Sequence, residues 1–95
     1  MPTVDDQRRI NIPIKLREKA RILTGTEIAL FYENNRIFIA DASNELVDQD
    51  IIDFRMLDSS GRIILPETVL EILEVGKEDS LIVSLRDKRI SIFKK

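Results

Sequence analysis

The chain has 95 residues, a net charge of -2, 43% apolar and 34% charged side chains, and neither histidine nor cysteine. That length holds one domain rather than two cores of ordinary size, and the balance of apolar to charged residues belongs to a folded protein, not a disordered one. Disulfides, thiolate zinc sites, cysteine nucleophiles and histidine-dependent catalysis are excluded by composition. The first residues carry no apolar leader, and no run approaches the roughly 18 apolar residues of a membrane span, so a cytoplasmic protein with no membrane contact is expected. Charge is uneven along the chain. Residues 1–40 hold seven basic against five acidic side chains, and the remainder eight against twelve, so a basic face is compatible with an acidic total.

In chain order, Arg8 to Ile12 reads as a short strand entered through a turn and closed by Pro13. Proline costs no hydrogen bond at a helix start and biases the residue before it to extended geometry, so a helix is expected over about Pro13 to Leu23. Leu16, Ala20 and Leu23 give that helix one apolar side. A hairpin follows, Ile28 to Glu33 with Arg36 to Ala40, alternating with the period of two of a half-buried strand pair and tipped by Asn34-Asn35. Asp41 to Asp53 carries five acidic residues and no basic one, and reads as a solvated connector. Arg62 to Leu65 is again a strand closed by a proline, Pro66 to Leu73 a helix, and Leu81 to Arg86 with Arg89 to Phe93 a second hairpin tipped by Asp87-Lys88.

The second series repeats the first. An offset of 53 residues aligns Asp5 with Asp58, Arg9 with Arg62, Ile10 with Ile63, Pro13 with Pro66, Glu18 with Glu71, Arg36 with Arg89, Ile37 with Ile90 and Ile39 with Ile92, without a gap. Two copies are too few for a solenoid and suit a pseudo-two-fold domain in which each half covers the other. The expectation is a single domain over 1–95: a first unit at 1–40, the acidic connector at 41–53 and a second unit at 54–95. Its class is mainly β with short helices (α+β).

Asp58-Ser-Ser-Gly-Arg-Ile-Ile-Leu-Pro66, followed by a helix and a hairpin, resembles the AbrB/SpoVT/MazE family of swapped-hairpin barrels, in the tandem form seen in MraZ proteins. The resemblance covers nearly the whole chain. It implies a pseudo-two-fold swapped-hairpin β-barrel and a transcriptional regulator that binds double-stranded DNA. By position, the family's contacting arginines fall on Arg9 and Arg62 after the turn, on Arg55 before it, with Pro2 as its counterpart, and on Arg17 in the helix, with Leu70 as its counterpart. Unit one has Arg8 where unit two has the turn glycine, so its turn is expected to differ, since a non-glycine residue at positive φ costs on the order of 1 kcal/mol.

The helices differ too. The first carries Lys15, Arg17, Lys19 and Arg21 with the single acid Glu18; the second carries Glu67, Glu71 and Glu74 and no base. Arg8, Arg9, Lys15, Arg17, Lys19, Arg21, Arg55 and Arg62 are therefore the candidate DNA-binding residues, because guanidinium groups bind phosphate bidentately and read guanine edges. Leu70 and Ile72, on an acidic second helix, are expected at the interface of a homo-oligomer. Arg36 and Arg89 read as surface ion pairs, Phe31 and Phe38 as core. Asp5 and Asp58 read as turn aspartates that bind downstream backbone N–H groups. Acid–base candidates are too scarce for an enzyme, and no cofactor or metal is expected. Two other readings stay open: an antitoxin, whose toxin partner would have to bind the barrel itself, and a protein-interaction module that has lost DNA binding.

Overall fold

The computed structural model describes residues 2–43 and 50–95. Its elements are β1 (Arg9–Asn11), α1 (Ile14–Ala20), β2 (Glu27–Glu33), β3 (Arg36–Asp41), β4 (Asp50–Met56), β5 (Arg62–Ile64), α2 (Glu67–Leu73), β6 (Leu81–Arg86) and β7 (Arg89–Lys94). The fold is mainly β, of the α+β kind. β1 and β5 form an antiparallel ribbon, and the other five strands form an antiparallel sheet in the order β4-β2-β3-β7-β6.

Both sheets are joined across the repeats. In the ribbon Ile10 stands opposite Ile63, and in the larger sheet Phe38 stands opposite Ser91; each is a residue facing its own repeat equivalent. A pseudo-two-fold axis passes through both pairs. The backbone obeys it closely: Ile12 N–H donates to Gly61 O and Leu65 N–H to Arg8 O, both at 2.8 Å.

Strand alternation sorts the side chains. Ile10, Ile12, Ile63 and Leu65 from the ribbon segments join Ile28, Leu30, Ile37, Ile39, Leu81, Ile90 and Ile92 of the larger sheet in one buried core. The intervening residues make a second cluster on the other face of that sheet, where the Phe31 and Phe38 rings stack with centroids 5.6 Å apart. Arg89 lies over Phe38 at 4.5 Å and pairs with Glu33 at 2.6 Å, while Arg36 lies over Phe93 at 4.9 Å. Ser91 stands where the repeat would place a second phenylalanine, and its Oγ is buried with no hydrogen-bond partner among the described residues.

Several expectations change. α1 stops at Ala20, short of Leu23, because Arg21 turns left-handed at φ 58°; α2 ends the same way at Glu74, φ 57°. Ile22 N–H then closes on Arg17 O and Val75 N–H on Leu70 O, which satisfies end carbonyls without a glycine. Arg8 does not give unit one a different turn. It adopts φ 62° against 79° for Gly61, and Arg8 N–H reaches Asp5 O as Gly61 N–H reaches Asp58 O, both at 3.0 Å. The hairpin tips Asn34-Asn35 and Asp87-Lys88 all have positive φ, the pattern of primed turns. The connector expected over 41–53 begins in the last residue of β3 and ends inside β4, an edge strand whose register with β2 shifts once between Leu30 and Phe31; residues 44–49 lie outside the described residues. Among the described residues no helix is long and apolar enough to cross a membrane.

Candidate nucleic-acid interface

The ribbon turns Ile10 and Ile63 into the core, so its other face must display Arg9, Asn11, Arg62 and Ile64. Arg9 is opposite Ile64 and Arg62 opposite Asn11, which sets the two arginines on a diagonal of the ribbon, neighbours about 7–8 Å apart. They are related by the pseudo-two-fold axis. Asn11 Nδ2 donates to Ser60 O across the ribbon at 3.1 Å, and Ile64 is 45% exposed.

Each arginine is oriented by the aspartate that opens its turn. Asp5 Oδ1 accepts the N–H groups of Gln7 and Arg9, and its Oδ2 accepts Arg9 Nε, all at 2.8 Å. Asp58 does the same for Ser60 N–H and Arg62 N–H at 2.9 Å and for Arg62 Nε at 3.1 Å. The donors hold both carboxyls below the usual carboxylate value of 3.8, the backbone N–H of Arg9 or Arg62 contributing most, against an opposing effect of desolvation. With Nε engaged by the aspartate, the two Nη groups of each guanidinium have no hydrogen-bond partner among the described residues, on side chains that are 26% exposed in Arg9 and 37% in Arg62. A fork held in this way can receive a phosphate or a guanine edge without first being ordered.

The other candidates are placed differently. Arg8, at the corner of its turn, pairs with Glu67 at 2.9 Å, an exposed pair that contributes little to stability. Arg17 is half-buried. Its Nε donates to Ile12 O at 2.8 Å, and its guanidinium lies so close over Gly61 that a Cβ there would meet Nη2 at 2.6 Å. It supports the turn of the other repeat rather than projecting into solvent. Lys15 and Lys19 are exposed on α1 and Arg21 is exposed at its end, none with an acidic partner within 4 Å among the described residues. Arg55 belongs to the larger sheet, where its Nη1 binds Asp53 at 2.7 Å and Phe54 O at 2.8 Å. Leu70 is partly buried against the core of its own chain, whereas Ile72 is 42% exposed. Two residues apart on a helix they point in nearly opposite directions and cannot share one interface.

Asn11 and Ile64 were not singled out from the sequence, yet their position was available: the strands outward-facing by alternation from Ile10 and Ile63 display them. No protein-family model and no curated protein matches this chain.

Proposed function

We propose that the protein is a transcriptional regulator that binds double-stranded DNA with sequence preference, acting in the cytoplasm, and that the β1–β5 ribbon is its contact surface. The observation that carries this is the pair Arg9 and Arg62: axis-related, diagonal on the outer face of the ribbon, each locked at Nε by an aspartate, with neither Nη group hydrogen-bonded among the described residues. A two-stranded ribbon fits the major groove of a duplex, and two symmetric forks suit a site with approximate dyad symmetry. Lys15, two residues past Pro13 in the first turn of α1, extends the positive surface on that side, whereas Arg8 at the turn corner is paired with Glu67 of α2. The resemblance to AbrB/SpoVT/MazE proteins agrees with this reading, as does the exchange of strands between repeats, which is how a swapped-hairpin barrel built from one chain would close. The protein is accordingly read as a binding module and not an enzyme.

Binding of labelled duplex, followed by fluorescence anisotropy against salt concentration, tests the proposal. Arg9→Ala with Arg62→Ala should weaken binding at least tenfold and reduce the slope of log affinity against log salt by about 2 if both forks hold phosphate. A folded double variant that binds as the parent does would refute the ribbon as the contact surface. One observation favours the protein-interaction reading instead, toxin partners included: Ile51, Phe54 and Met56 stand exposed on edge strand β4. That reading takes precedence if the parent protein shows no anisotropy change at low salt.

A further inference from the structure

α1 packs against β6 and β7, the hairpin of the other repeat, and a pocket of about 510 Å³ lies where they meet. Its lining is Lys19, Ala20 and Arg21 from the end of α1, with Leu85 and Lys88 from the end of the hairpin. Three of these residues are bases and none is an acid, in a chain whose net charge is -2. None of the three has an acidic partner within 4 Å among the described residues, whereas Arg8, Arg9, Arg55, Arg62 and Arg89 each have one. No residue of the β1–β5 ribbon borders the pocket.

Two of the bases stand on backbone that suits other residues. Arg21 has φ 58° and Lys88 has φ 65°, the left-handed region that glycine and asparagine enter readily and long side chains do not. The other repeat fills the same positions without bases. At the offset of 53, Lys88 corresponds to Asn35, whose Oδ1 accepts a hydrogen bond from the Tyr32 hydroxyl at 2.8 Å, and Leu85 corresponds to Tyr32. Lys19, Ala20 and Arg21 correspond to Ile72, Leu73 and Glu74. The helix dipole accounts for a base at the end of α1, but not for Lys88, which belongs to another element. Like charges gathered round one pocket repel each other, and an anion between them offsets that repulsion. Strain kept at such a cluster points to a ligand rather than to the needs of the fold.

We propose that this pocket binds a small organic phosphate carrying at least two negative charges. Arg21 takes a phosphoryl group with its planar fork, Lys19 and Lys88 supply point charges from α1 and from the hairpin, and the organic part lies on Ala20 and Leu85. The volume falls within the roughly 300–1,000 Å³ of small-ligand pockets. Because the lining comes from both repeats, a bound ligand ties α1 to β6 and β7 and stabilises the folded chain by mass action. Nothing in this depends on the ribbon binding DNA.

ADP is the probe, with inorganic phosphate beside it. Followed by amide NMR at low salt, millimolar ADP should shift the signals of Lys19, Ala20, Arg21, Leu85 and Lys88, leave those of Arg9 and Arg62 in place, and raise the melting temperature. It should bind at least tenfold more tightly than inorganic phosphate, which lacks the second phosphoryl group and the organic part. Lys88→Asn installs the residue of the other repeat and suits the positive φ, so it should fold as the parent does while weakening ADP binding at least tenfold. Arg21→Glu, the equivalent exchange on α1, should weaken it further. A Lys88→Asn variant that binds ADP as the parent does, shifts that fall on the ribbon instead, or equal affinity for ADP and inorganic phosphate would each overturn the proposal. So would a short duplex that displaces ADP and loses affinity by the same factor in Lys88→Asn, since the pocket would then belong to a DNA contact.

Discussion

At the turn that opens the ribbon, repeat one carries Arg8 and repeat two carries Gly61, yet the two close with the same backbone hydrogen bonds at the same 3.0 Å. The side chain facing each turn from the opposite repeat changes with it. Arg17 covers Gly61, where the absent Cβ leaves room for a guanidinium, and the residues at the equivalent positions of the other pairing are Leu70 and Arg8. The backbone of this fold is therefore specified by features both repeats keep: the turn aspartate, the proline before the helix, and the alternating isoleucines. The residues between them are free to diverge, and they have diverged into two differently charged sides of one molecule.

The core on the axis should be where the repeats remain most alike. Ile10 and Ile63 are both 1% exposed and face each other. Ile10→Ala and Ile63→Ala should each cost about 3 kcal/mol in denaturant unfolding, within error of one another, and the double variant should depart from additivity because the two share one contact. Unequal costs would show that the symmetry of the backbone does not extend to its packing.

The turns should respond unequally. Gly61→Ala strains a residue at φ 79° and pushes Arg17 off its bond to Ile12 O, a combined loss of about 2 kcal/mol. Arg17→Leu, which installs the residue found at the equivalent position of the other repeat, should recover part of it. Arg8→Gly relieves strain and gives up one exposed ion pair, so it should change stability by less than about 1 kcal/mol. Equal losses at 8 and 61 would remove the argument that Arg17 is a structural support for the second turn. A third difference lies at Phe38 and Ser91, where the smaller residue leaves a buried hydroxyl with no hydrogen-bond partner among the described residues. Ser91→Ala should stabilise the chain by about 1 kcal/mol, and a loss of stability would mean that the hydroxyl has a partner.

Much of this organisation was legible in the sequence, because a gapless offset of 53 residues exposes both the repeat and the strand alternation within it. The hairpins, the ribbon strands and the buried Phe31 and Phe38 follow from period and proline position alone. β4 was hidden because Asp50 and Asp53 break its apolar run, and its strand character comes from lying along β2. Arg17 read as a solvent-facing base because its partner, Gly61, belongs to the other repeat, and proximity between repeats is a property of the fold. The arrangement of Arg9 and Arg62 was half visible: the spacing from Asp5 and Asp58 suggested turns, but not that the same carboxylates would take up Nε and fix the guanidinium.

Those aspartates provide the finest comparison between the halves. Both are held below 3.8 by N–H donors from their own arginine, first from its backbone and also from its side chain. A carboxyl whose folded value is depressed contributes stability that is complete above the unfolded value and disappears as pH falls through the folded one. The turns should thus be fully supported at neutral pH and lose support only below about 3.8. In a series of thermal melts from neutral pH downward, Asp5→Asn and Asp58→Asn should each start lower than the parent and flatten part of its decline below that point, by similar amounts, since the hydrogen-bond pattern is the same. If neither flattens the decline, these carboxylates do not stabilise the turns electrostatically. If only Asp58→Asn does, the strained Arg8 turn depends on its aspartate less than the glycine turn does, and the two arginines of the ribbon are held with different firmness.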